Sequence, residues 1–193
     1  MKHHLKIIKA VLLALLLTQY ACEQNLSVNP VDQGTDGAQV TILKRIPQNN
    51  LHKEYFAQKW IDSNGGYILV GDHASGYSYI KFPQGALGTF NNVNGLNLAS
   101  ESMGAVNIQM YWESENLLQA DFYPEGLQFN TPVFIHLSYK DADLSGINEN
   151  ALAIYYYNPS TDQWEKISDN INTQEDYVEG YINHFSRYAI GVE

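Results

Sequence analysis

Cysteine is almost missing from this chain: Cys22 is the only one in 193 residues, so no disulfide can close within it. Cations are scarce too, with 11 Lys and Arg against 21 Asp and Glu. A surface this acidic repels phosphate backbones, which argues against nucleic acid as a partner. The longest uncharged apolar run, Ala10 to Leu17, is bounded by Lys9 and Gln19 and falls short of the roughly 20 residues of a membrane span. No zinc-ligand spacing, no G-x-S-x-G and no glycine loop followed by Lys is present. No cofactor is expected, and an enzyme acting on an external substrate has little support.

What is present begins with a leader. Lys2, Lys6 and Lys9 precede the apolar run, and Thr18 to Ala21 lead to Cys22, which is the layout of a secretory signal peptide over residues 1–21. Gln19-Tyr20-Ala21-Cys22 resembles a bacterial lipobox at Ala21 and Cys22 and departs from it at Gln19, where an aliphatic residue is usual. Lipidation of Cys22 would hold the protein on a membrane, in the cell envelope at the outer membrane or cell surface. The alternative is ordinary cleavage near Ala21 that leaves a free thiol. Losing the three lysines leaves 8 Lys and Arg against 21 Asp and Glu, a net of −13. From residue 22 to 38 the chain is polar and turn-rich (Asn29-Pro30, Asp36-Gly37) and reads as a flexible linker reaching on the order of 20 Å.

Residues 39–193 read as one all-β domain, an antiparallel sandwich. Aromatics make up 12% of the chain, with 14 tyrosines, a composition that favours strands. Val106, Ile108, Met110 and Trp112 alternate with Asn107, Gln109 and Tyr111; Val133, Ile135, Leu137 and Tyr139 alternate with Phe134, His136 and Ser138. Weaker alternation predicts strands over 39–46, 55–61, 67–71, 77–82, 117–123, 152–158, 163–167 and 177–192, with turn chemistry between them. Residues 51–60 also suit a helical turn or two.

The order of several short motifs resembles ZU5 domains. Gly65-Gly66 is followed by Pro83-Gln84-Gly85-Ala86-Leu87, then by Leu127 to Val133, Ala153 to Tyr157, Trp164-Glu165 and His184 to Tyr188. The collinear match covers roughly residues 60 to 192 and implies a sandwich of the bacterial ZU5-like kind. Each piece also has a packing role: Pro83 and Gly85 turn the chain after a strand, Pro132 opens one, and Trp164 faces one of Tyr155 to Tyr157.

His184-Phe185-Ser186 carries the sharpest chemistry. In the self-cleaving ZU5-like domains that it resembles, the serine attacks the carbonyl of the preceding residue. The resemblance assigns Ser186 as nucleophile, Phe185 as carbonyl donor and His184 as proton shuttle, with residues 186–193 released. The plainer alternative is a packed strand. Along 177–192, alternation puts Val178, Ile182, His184, Ser186, Tyr188 and Ile190 on one face, where the imidazole and hydroxyl need partners.

Asp141, Asp143 and Ser145, with Gly146, open like a calcium loop, but Leu152 stands where a bidentate Glu belongs, so a solvated turn competes with a weak metal site. Tyr155 and Tyr157 with Phe134 and Tyr123 would form an aromatic patch for a glycan or protein partner, or stack across neighbouring strands. The chain therefore reads as a lipid-anchored interaction or structural module, with self-cleavage and carbohydrate or calcium binding as the alternatives.

Overall fold

The computed structural model describes residues 39–46, 55–87, 105–112 and 117–193. The leader, Cys22 and the whole of the linker lie outside the described residues, as do residues 51–54. What is described is an antiparallel β-sandwich, as the alternation predicts.

In chain order the strands are β1 (Thr41–Ile42), β2 (Lys44–Arg45), β3 (Phe56–Asp62), β4 (Gly66–Asp72), β5 (Gly76–Phe82), β6 (Ala105–Tyr111) and β7 (Gln119–Tyr123). There follow β8 (Gln128–Ser138), β9 (Ala142–Asp143), β10 (Ala153–Asn158), β11 (Gln163–Ser168), β12 (Asn170–Asn172), β13 (Tyr177–His184) and β14 (Arg187–Val192). One sheet has the order β11-β10-β14-β7-β6-β3, with β1 also paired to β14; the other is β12-β13-β8-β5-β4; β2 and β9 form a small third ladder. The stretch 56–60, which also suited a helical turn, is strand, and its cross-strand partner is the strongly alternating β6.

Period-two alternation builds the interior. Val106, Ile108 and Met110 of β6 face Ile80 of β5, Val133, Ile135 and Leu137 of β8, and Val178 and Ile182 of β13, in one core cluster. Fully burying each such side chain contributes about 1.5–3 kcal/mol. Turn residues make the corners between the sheets. Gly65 sits at φ +81° between β3 and β4, and a Cβ there would lie 2.3 Å from the Phe82 carbonyl oxygen, so only glycine fits. Beyond β5 the chain turns at Gly85, whose N–H donates to the Ser63 carbonyl at 2.8 Å, and Ala86 and Leu87 are buried beneath.

Two expectations change. Pro132 does not open its strand; β8 starts at Gln128, and Pro132 lies exposed within it, beside the register shift that the β8–β13 ladder makes between Ile182 and His184. The segment 177–192 is not one strand. It leaves the second sheet at His184 and joins the first at Arg187, so Phe185 and Ser186 form a crossing between layers.

Candidate functional site

The outer face of the five-stranded sheet carries a group of exposed and half-buried aromatics. Pleating turns Tyr67 and Leu69 of β4, Tyr77, Tyr79 and Lys81 of β5, Phe134 and His136 of β8, and Tyr177 and Tyr181 of β13 away from the core. Their inward neighbours Ile68, Val70, Ile80, Ile135 and Val178 are buried. Register aligns Tyr67, Lys81, Phe134 and Tyr181 in one row across four strands, and Leu69, Tyr79, His136 and Glu179 in the next. At the strand spacing of ~4.8 Å each row is about 15 Å long.

The rings brace one another. Tyr79 stacks on His136 at 4.5 Å and 15°, His136 meets Tyr177 at 4.2 Å, and Phe134 meets Tyr181 edge-on at 5.4 Å. His136 Nδ1 lies 3.1 Å from Glu179 Oε1, which fixes the imidazole plane. Lys59 Nζ sits 4.8 Å over the Tyr67 ring. Burial, with Glu179 and Tyr177 nearby, raises the Tyr79 pKa, so its hydroxyl remains a proton donor. Tyr181 and Tyr67 are the most open, at 66% and 57% exposure. Between Tyr79, Lys81, Pro83, Pro132, Phe134 and Tyr181 lies a groove of about 350 Å³. Such a surface combines flat apolar rings with hydroxyl, ammonium and carboxylate groups at their edges, and braced rings lose little entropy on binding.

The aromatic patch expected from Tyr155, Tyr157, Phe134 and Tyr123 does not form. Tyr155 is fully buried, and Phe134 belongs to the other sheet from Tyr155, Tyr157 and Tyr123. Tyr157 does meet Trp164 across the β10–β11 ladder, with ring centroids 5.4 Å apart.

At the His-Phe-Ser crossing, Phe185 is buried in the core, stacked on Phe122 at 5.4 Å. Its N–H donates to the Leu127 carbonyl at 2.8 Å, and its carbonyl accepts from Gly126 N–H at 3.0 Å. The His184 ring packs edge-on against Tyr156 at 4.9 Å, while the Tyr188 hydroxyl donates to the His184 carbonyl at 2.7 Å. Ser186 is buried and lines a different cavity. None of the described hydrogen bonds joins His184 to Ser186, and the His184 ring lies against Tyr156 and Tyr188.

The calcium-loop residues part company. Asp141 is buried, with Oδ2 2.5 Å from Arg45 Nη1, and Arg45 lies over the Tyr55 and Trp112 rings at 4.4 and 5.2 Å. Burial lowers the Arg45 pKa, and the Asp141 charge opposes that shift. Asp143 is exposed and accepts Ser145 N–H at 3.0 Å, which closes a turn; the Ser145 side chain first and this backbone bond second hold its carboxyl below the usual range. Among the described residues no group of three His, Cys, Asp or Glu side chains gathers as a metal site.

Sequence reasoning missed the sheet face and the Arg45–Asp141 pair. The pair had a signal: the parity that buries Leu43 also buries Arg45. The face had one in the alternating Tyr67-Ile68-Leu69-Val70 and Tyr77-Ser78-Tyr79-Ile80 patterns, but which strands adjoin is a long-range fact.

No protein-family model matches the chain. An amylopullulanase from Thermoanaerobacterium thermosulfurigenes is 29% identical over 132 residues, a stretch that is 66% of this chain and 7% of that protein. The chain thus spans a small fraction of the length of the relative it matches.

Proposed function

We propose that this chain is an exported, lipid-anchored and non-catalytic module of the ZU5-like kind that binds a polysaccharide on the aromatic face of its five-stranded sheet. The observation that carries the reading is the row of Tyr67, Lys81, Phe134 and Tyr181, open at Tyr67 and Tyr181 and half-buried at Phe134, with the half-buried Tyr79 in the row beside it. Sugar rings lay their C–H faces on such rings and point their hydroxyls at the polar edges. Likeness to part of an amylopullulanase selects α-glucans as the first ligands to try.

Affinity electrophoresis is the direct test. The protein should be retarded in gels containing amylopectin or pullulan, and Tyr79→Ala/Tyr181→Ala should weaken binding about 5- to 140-fold, from two aromatic contacts of ~0.5–1.5 kcal/mol each. Unretarded migration in every polysaccharide gel tried would sink the reading.

A second reading, self-cleavage between Phe185 and Ser186, draws support from Gly126 N–H, which already donates to the carbonyl that would become the oxyanion. Attack by Ser186 Oγ would form an ester to the Phe185 carbonyl carbon and break its bond to the Ser186 nitrogen. The hydroxyl proton would pass to that nitrogen, and water would hydrolyse the ester. Intact mass spectrometry of protein from the membrane fraction examines both ends at once. The expected species starts at an acylated Cys22 and ends at Glu193; a species lacking residues 186–193 would establish the second reading, and an unacylated one would remove the anchor.

A further inference from the structure

Where the first sheet meets the crossing, Asp121, Tyr123, Glu125, Tyr157, Ser186 and Arg187 surround an open cavity of about 160 Å³. We infer that this cavity binds one neutral sugar ring, at a site separate from the sheet face. One side of it is an ion pair whose carboxylate is buried and whose guanidinium is half exposed. Arg187 Nε and Nη2 donate to the two oxygens of Asp121 at 2.8 and 3.1 Å, the Asp121 side chain being 6% exposed and that of Arg187 46%. A planar guanidinium locked to a carboxylate presents donors and an acceptor in fixed directions, the arrangement that adjacent hydroxyls on a ring can match.

The walls are braced. Tyr157 is backed by Trp164, and its hydroxyl donates to Asp162, while Tyr123 packs edge-on against Tyr111 at 5.5 Å. Ser186 brings a hydroxyl to the lining and Glu125 a carboxylate.

Size and charge narrow the ligand. A closed cavity near 150 Å³ accepts a single benzene ring, so this open one has room for one six-membered ring with its substituents directed outward. Asp121 and Arg187 cancel, Glu125 leaves the lining negative, and the chain as a whole carries −10, so phosphates and carboxylates are disfavoured. The site lies on the first sheet and its corner, whereas the aromatic run lies on the second. The inference therefore stands whether or not the sheet face binds a polymer.

Amide-resolved NMR titration of the full chain with the methyl glycosides of glucose, galactose and mannose, and with glucuronate for comparison, tests it. At least one neutral glycoside should shift the Tyr157, Ser186 and Arg187 amides saturably, with glucuronate weaker. Tyr157→Ala should weaken binding about tenfold, Ser186→Ala about threefold or more, and Tyr181→Ala on the sheet face not at all. No saturable shift at the corner with any neutral glycoside, or wild-type affinity in a folded Ser186→Ala variant, would overturn the inference. Loss of polymer retardation with corner binding intact would remove only the sheet-face reading.

Discussion

Phe185→Ala should lower the unfolding free energy by about 3–5 kcal/mol, seen as an earlier urea midpoint with an unchanged slope. The ring is 1% exposed and lies where the layers meet. It stacks on Phe122 of β7, in one sheet, and takes edge contacts from Phe82 of β5 and Phe129 of β8, in the other, at 6.0 and 4.9 Å. Removing it forfeits the buried area, leaves a void the two sheets cannot fill together, and deletes three ring pairs worth ~0.5–1.5 kcal/mol each. Phe185→Leu, which keeps most of the volume, should lose clearly less. A Phe185→Ala variant as stable as the parent would show that the crossing is not part of the core.

Asp141→Ala should be comparably harmful, at about 3–5 kcal/mol, for an electrostatic reason. The Arg45 and Asp141 side chains are 4% and 2% exposed. Among the described residues the countercharge to the Arg45 guanidinium comes from Asp141, whose Oδ2 faces Nη1. Deleting the carboxylate strands a cation in the interior, which is far worse than having no charge there. The double change Arg45→Leu/Asp141→Leu should regain most of the loss, because an apolar pair of similar bulk avoids desolvating two ions. If the double variant is as unstable as the single one, packing against Tyr55 and Trp112 and not charge explains the site.

Much of the architecture was readable because alternation is a local consequence of the pleat. Val106 to Trp112 predicted its strand nearly to the residue, Val133 to Tyr139 predicted only the C-terminal part of β8, and Trp164 found its tyrosine because a short turn dictates who pairs. Phe185 was misplaced for a reason that alternation cannot register. β13 alternates, but a register shift after Ile182 and a change of sheet after His184 bring two consecutive residues, Phe185 and Ser186, inside, and β14 is buried through Tyr188 to Gly191. The strands β9 and β12 are too short to hold a period. Asp141 looked like a solvated ligand until the fold brought it to Arg45, 96 residues away in sequence. The sheet face assembles residues from four strands, so its parts were visible and their adjacency was not.

The ladders at the start of the domain have a mechanical meaning. β1 holds β14 by only two residue pairs, Thr41 with Val192 and Ile42 with Gly191, and β2 holds β9 by two more. Tension entering at residue 39 would strip the first two pairs in turn, as a zip opens. It would next have to free the buried Leu43, bonded to Ile190 and Leu118, and then Arg45, whose guanidinium must be dragged from beside two rings and away from Asp141. The domain's grip on whatever precedes it is thus a buried latch more than a seam.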